Sequence, residues 1–229
     1  MTGDDDERVL TAFHDETVAF TEALGGLPMS AWDHPTRCEP WQVRDVVGHV
    51  ITVLARVPEM VAAPAPEQAD TSATTYYRRD ERFSEAANAD RVRTAHGRAT
   101  VPDVAVLAHD LAHVAQLVVA VCRQQPATRI VRTRHGDAML LSDFLLTRVF
   151  ETAVHGLDVA DALDQPPWLT TSAAHHLQHA LFGADWYAAV ATLGWDSGTV
   201  LRKATGRAPV TEEESARLDE LGLRQLALG

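Results

Sequence analysis

The sequence predicts a mainly α protein built as an antiparallel four-helix bundle with a small C-terminal segment. Three observations lead there. Four long stretches carry apolar residues at three- and four-residue steps, the period of one helix face. Only one short stretch alternates as a strand does. A long connection rich in proline, alanine and threonine separates the second helical stretch from the third. With 229 residues, 46% of them apolar, the chain has ample material for a core. The bundle is expected to occupy residues 1–167, and residues 168–229 to form a C-terminal helical segment packed on it.

The first helix is read from Asp5 to near Leu24, where Val9, Leu10, Phe13, Thr17, Phe20 and Leu24 form a stripe that Gly25-Gly26 ends. The second carries Val43, Val46, Val47, Val50, Val53, Leu54 and Val57 and is expected to stop at Pro58, which has no amide proton to donate. Residues 58–75 read as a loop, and 76–98, rich in arginine and acid, as a short solvated helix or lid. Asp103 is placed to cap a third helix running to near Gln125, before Pro126. "TRIVRTRHGDAML" reads as a small hairpin around Gly136-Asp137. Ser142 is read as opening the fourth long helix, with Phe144, Leu145, Val149, Ala153, Leu157 and Ala160 inward and an end near Asp164. A helix near 171–190 and two short helices joined by a Gly-Arg-Ala-Pro turn complete the chain.

The formal net charge is −12, and no basic face of the kind a phosphate backbone needs is visible, so no nucleic-acid partner is expected. A small-molecule substrate suits this chain better. The opening "MTGDDDERVL" is acidic, unlike a signal peptide, and no apolar run approaches the roughly 20 residues of a spanning helix. The expectation is a cytoplasmic protein without a membrane partner, monomeric or homodimeric. Cys38 and Cys122 are too few for a disulfide framework and read as small buried residues.

The chemistry concentrates in "FETAVHGLDVADAL", residues 150–163. On a helix, residues i and i+4 share a face about 6 Å apart, so Glu151 and His155 can turn towards one point. Phe150, Val154 and Leu157 flank them, and a carboxylate in apolar surroundings needs a cation or donors to compensate it. His49 sits among the apolar residues of "VVGHVI" on the second helix. Taken singly, His49 reads as a hydrogen-bonded core histidine and the Glu151/His155 pair as an ion pair. Together they are three metal donors with a fourth position open, the kind of set that bundles assemble from facing helices.

Two segments around these residues resemble a known family. "CEPWQVRDVVGHV" is similar to C-x-G-W-x-V-x-D-x-x-x-H, and "FLLTRVFETAVHGLDVADAL" to R-x-x-E-x-x-x-H-x-x-D-x-A, both of the mycothiol-dependent maleylpyruvate isomerase family within the DinB-like superfamily. The chain departs from the pattern at Glu39-Pro40, where many members have a glycine before the tryptophan. The resemblance implies a DinB-like bundle in which His49, Glu151 and His155 hold Zn²⁺ or another divalent transition metal. It also implies mycothiol, a low-molecular-weight thiol, as cosubstrate.

A metal-ligated thiol is stabilised as its thiolate, the nucleophilic form. Adding to a small electrophile, it gives a conjugate, or a cis-trans isomer if the addition reverses after bond rotation. Asp158, three residues after His155, is the candidate to orient it or to bind the thiol's polar groups, and surface exposure is its plain alternative. The resemblance implies a site arginine from the C-terminal portion, for which Arg207 in "TGRAP" is the candidate, steering an acidic substrate or the thiol. Arg148, one turn before Glu151, is read as an ordinary helix arginine or a partner of Glu151. His109 and His113, and separately His175, His176 and His179, are read as exposed or packed rather than ligating. Cys38, eleven residues before His49 and so about three helical turns away, is not expected at the site. Two further functions stay open: metal chemistry without a thiol, such as redox catalysis, and a non-catalytic bundle binding a small ligand.

Overall fold

The computed structural model describes residues 3–78, 80–224 and 226. Helix α1 (Gly3–Gly25) buries Val9, Phe13, Phe20 and Leu24, as its period dictates. After a 3-10 turn at Met29–Asp33, the chain reverses tightly. The Trp41 amide donates to the Cys38 carbonyl at 2.8 Å, and that of Thr36 to the Trp41 carbonyl at 3.0 Å. Helix α2 (Val43–Ala62) then starts with Asp45 accepting from the Gln42 amide at 3.0 Å.

Helix α2 does not stop at Pro58, which lies inside it. Met60 is anchored in the core, and Arg129 Nη2 donates to the carbonyls of Val61 (2.6 Å) and Ala63 (2.7 Å), satisfying acceptors at the helix end. These contacts carry the helix one turn past the proline.

The stretch read as a solvated lid folds as α3 (Ala73–Tyr76), a 3-10 turn at Glu81–Phe83 and α4 (Glu85–Ala99). Helix α4 packs directly on α2 through the buried Ala95 and Ala99. A Cβ built on Gly48 would lie 2.8 Å from the Ala95 carbonyl oxygen, so the glycine sets how closely the two backbones meet. Small residues, rather than a broad apolar stripe, make this contact.

Helix α5 (Ala105–Cys122) begins beside Asp103, whose side chain accepts from the Ala105 amide at 3.0 Å. Among the described residues it alone has the length and apolarity of a membrane span, but its buried side packs against α1 and α2. A two-stranded hairpin, β1 (Ile130–Arg132) and β2 (Ala138–Leu140), pairs Val131 with Met139 and leads straight into α6 (Leu141–Ala162). The Ser142 hydroxyl is buried with no hydrogen-bond partner among the described residues, so it does not cap that helix; the strand delivers the chain instead.

Helices α1 and α2 each pack against both α5 and α6, which closes the four-helix core. Helix α6 is buried almost all round, because α3 and the C-terminal helices cover the side that the bundle leaves open. Those helices are α7 (Thr171–Phe182), α8 (Trp186–Leu193), α9 (Ser197–Ala204) and α10 (Glu212–Glu220). The helix expected near 171–190 is broken at Gly183, whose φ of 75° is left-handed. Helix α7 seats on α1 and α6, and the Thr170 amide and hydroxyl both donate to the buried Glu16 carboxylate, at 2.9 and 2.6 Å.

Candidate metal centre

Helices α2 and α6 face each other where His49 and the Glu151/His155 pair project from them. The Nε2 of His49 lies 3.2 Å from Glu151 Oε2, and the Nε2 of His155 lies 3.5 Å from the same oxygen. One donor atom from each of the three residues falls within 4.8 Å of the others. The imidazole rings meet edge to face with centroids 5.0 Å apart, and Trp41 lies against both, 4.9 Å from His49 and 6.1 Å from His155. Trp41 reaches them because of the chain reversal before α2.

The second ring nitrogen of His155 is also engaged. Its Nδ1 is 3.0 Å from Asp158 Oδ2, a contact in which the imidazole donates. With Nδ1 held by Asp158, Nε2 is the ring nitrogen turned towards Glu151 and His49, the one a metal would take, as in metal sites where a carboxylate orients the ligating histidine. Asp158, with a fully buried side chain, accepts from Arg207 twice, Nε to Oδ1 at 3.0 Å and Nη2 to Oδ2 at 3.1 Å, and from the Cys38 thiol at 3.3 Å. Arg37 Nε stands 4.0 Å away.

Burial pushes the His49 imidazole down to about 4, only partly offset by Glu151, so this ring is neutral at pH 7 and has a lone pair to offer. Burial alone would raise the Glu151 carboxyl, but hydrogen bonds from His155 and His49, with Arg148 Nη2 3.9 Å from Oε1, hold it well below the carboxylate range. Burial opposes the charged form of His155, yet its bond to Asp158 and its contacts with Cys38 and Glu151 raise it well above the usual histidine value. In this arrangement positive charge is strongly favoured between Glu151 and Asp158. A divalent cation meets that demand, and the donors fit one: two imidazole nitrogens and a carboxylate oxygen already converging.

Cys38, His155 and Asp158 form a second convergent trio. Asp158 is already engaged by the Arg207 fork and neighboured by Arg37, so a cation there would meet two guanidiniums. Of the two, the first trio is the better candidate for a metal site. That Cys38 comes so near corrects the expectation that it lies three turns away. Helix α2 starts only at Val43, and the reversal through Glu39-Pro40, a cis peptide, folds the thiol back towards α6.

The structure thus brings His49, Glu151, His155, Asp158 and Arg207 into one neighbourhood, with all but Asp158, which lies buried behind them, at the wall of a 280 Å³ cavity. His109 and His113 are on the exposed side of α5. His175 packs its ring 4.6 Å from Trp186, away from the metal trio. Sequence reasoning missed Trp41, Tyr76, Tyr77 and Arg56, which also line the cavity. Arg56 was within reach, since it lies seven residues after His49 and therefore on the same helix face.

A family model described as the mycothiol maleylpyruvate isomerase N-terminal domain matches residues 13–160. No curated protein and no solved structure matches the chain. The matched range contains His49, Glu151, His155 and Asp158, whereas Arg207 lies beyond it.

Proposed function

Because the chain belongs to the mycothiol maleylpyruvate isomerase N-terminal domain family, we propose that it is a metal-dependent enzyme acting through a low-molecular-weight thiol, mycothiol. The reaction is S-transfer to, or cis-trans isomerisation of, a small electrophile. The observation that carries this reading is the convergence of His49 and His155 from two helices on one oxygen of Glu151.

His49, Glu151 and His155 would hold the metal, with zinc the expected ion. Bound there, it would supply Lewis acidity that keeps a thiol ionised at neutral pH. The chain's own side chains do the rest. Asp158 fixes the ring of His155, and Arg207 in turn fixes Asp158, so the C-terminal segment (168–229) completes a site laid out by the bundle (1–167). Trp41 shields both imidazoles from water on one side. Thiol and electrophile enter the cavity together. The sulfur bonds to an electrophilic carbon, and protonation of the resulting carbanion completes a transfer. Rotation about the saturated bond, followed by loss of the sulfur, returns the alkene as its isomer. Asp158 and Arg207 act here as positioning residues, and no nucleic acid or membrane takes part.

Calorimetric titration of mycothiol into metal-loaded protein tests the reading. One thiol bound per chain, lost in His49→Ala, supports it. Metal binding without thiol binding would transfer the site to other metal chemistry, redox included, and failure to bind metal would leave a ligand-binding bundle.

A further inference from the structure

The cavity beside the metal centre has an electrostatic character opposite to that of the chain. Acidic residues outnumber basic ones 32 to 20 overall, yet Arg56, Arg82, Arg91, Arg134, Arg148 and Arg207 all line this one space. Glu39 and Glu151 are its only acidic lining residues among those described.

Arginines outside the cavity that pair with a carboxylate include Arg44 with Asp33, Arg78 with Asp137, Arg93 with Asp90, Arg98 with Asp110 and Arg202 with Asp161, and within the cavity Arg82 pairs with Asp137, Arg148 with Glu151 and Arg207 with Asp158. Three of the cavity arginines do not. Half-buried Arg56 makes no side-chain hydrogen bond or ion pair among the described residues. Among the described residues Arg134 donates only to its neighbour His135, Nε to Nε2 at 3.2 Å. Arg91 donates to the Asn88 side chain and, at 3.1 Å, to the Arg82 carbonyl.

Burial and the nearby positive charges of Arg134 and Arg148 lower the Arg56 guanidinium, while burial with Arg134 and Arg82 pushes His135 down to about 4. Like charges held together cost free energy, only partly offset here by Glu151 and Asp137, and an anion entering between them returns it. Arginine suits that role because its planar fork pairs with two oxygens at once.

We propose that Arg56 on α2 and Arg134 in the β-hairpin turn, with Arg91 on α4, form an oxyanion subsite that holds a carboxylate or phosphate group of the substrate. These residues come from three separate elements that meet only in the fold, whereas Arg82 and Arg148 are engaged by Asp137 and by Glu151. Tyr76 and Phe83 line the same cavity, giving the remainder of the acid an apolar aromatic wall. The electrophile is then an acid whose anionic end is gripped at the arginines while its reactive carbon faces the metal trio. The inference rests on the proposed function only in taking this cavity as the substrate's.

The test is isothermal calorimetry at low ionic strength on the whole protein, with succinate, inorganic phosphate and neutral succinamide as probes. Wild type is expected to bind succinate or phosphate saturably and succinamide not at all. Whichever oxyanion binds identifies the group. Arg56→Gln and Arg134→Gln should each weaken binding at least 5-fold, and Arg123→Gln, at the far end of α5, should leave it unchanged. Saturable binding by neither anion, or equal binding by wild type and both cavity variants, would overturn the subsite. Metal content measured on the same preparations separates this failure from failure of the metal reading, since none of the three arginines is a metal donor.

Discussion

Arg207 places its Nε 3.0 Å from Oδ1 of Asp158, joining a residue after α9 to the C-terminal part of α6 across 49 positions of sequence. Asp158 in turn holds the Nδ1 of His155. The orientation of a metal-donor candidate in the bundle therefore depends on the C-terminal segment. Arg207→Gln should lower activity about 10- to 100-fold, the range seen when a residue supporting a metal ligand is lost. It should also cost about 2 kcal/mol in denaturant unfolding, because the Asp158 charge is left buried with fewer donors. Arg207→Lys should recover part of the stability but not the bidentate hold. Equal activity of wild type and Arg207→Gln would remove the residue from the site.

Glu16 gives the fold a measurable pH dependence. Burial, opposed by the two bonds from Thr170, raises its carboxyl from 4.5 to about 6. A raised folded-state value means the proton is held more tightly in the folded chain. The stabilising contribution is therefore complete below pH 4.5 and lost as pH rises through 6. A shift of this size corresponds to about 2 kcal/mol. Urea unfolding of wild type and Glu16→Gln across pH 4.5–7 should show a difference that grows with pH in favour of the variant. A difference independent of pH would contradict the assignment.

Gly48→Ala should destabilise the protein by about 1–3 kcal/mol, as expected when a packed contact is overfilled. The new Cβ would meet the Ala95 carbonyl at 2.8 Å, and a backbone atom cannot swing aside. Since α4 also supplies Arg91 to the cavity, substrate affinity should fall with stability. Thermal unfolding and KM measured on the same preparation check both.

The two cysteines should differ sharply in reactivity. Burial pushes the Cys122 thiol up to about 12, so it is protonated and enclosed. Cys38 is half-buried and lines the cavity. Maleimide labelling of native protein, read by mass spectrometry, should modify Cys38 and reach Cys122 only after unfolding. Early labelling of Cys122 would mean that the core around α5 opens more readily than its packing implies.

The long helices were legible because each must keep an apolar stripe: Phe13 to Leu24, Val43 to Val57 and Phe144 to Ala160 all declare themselves by spacing. Glu151 and His155 were legible for the same reason, since i and i+4 share a face whatever the tertiary fold. Contacts made by small residues leave no such trace, so the seat of α4 on Gly48 was invisible. Pro58 was read as a stop because tertiary support from Met60 and Arg129 lies outside local sequence. Counting helical turns from His49 argues against Cys38 at the site, because the count runs through residues that in fact reverse the chain. The unpaired state of Arg56 and Arg134 can only be seen once the acids that could have joined them are located elsewhere.

The most direct test of the metal centre is metal content by mass spectrometry of protein purified without added metal, comparing wild type with Glu151→Ala. Both imidazoles converge on the carboxylate of Glu151, so its removal takes the shared donor from the trio. About one divalent transition metal per chain, zinc as the expected ion, and its loss in the variant is the predicted result. Wild type that stays metal-free even after reconstitution, or a variant that holds metal as tightly as wild type, would contradict a site built on His49, Glu151 and His155.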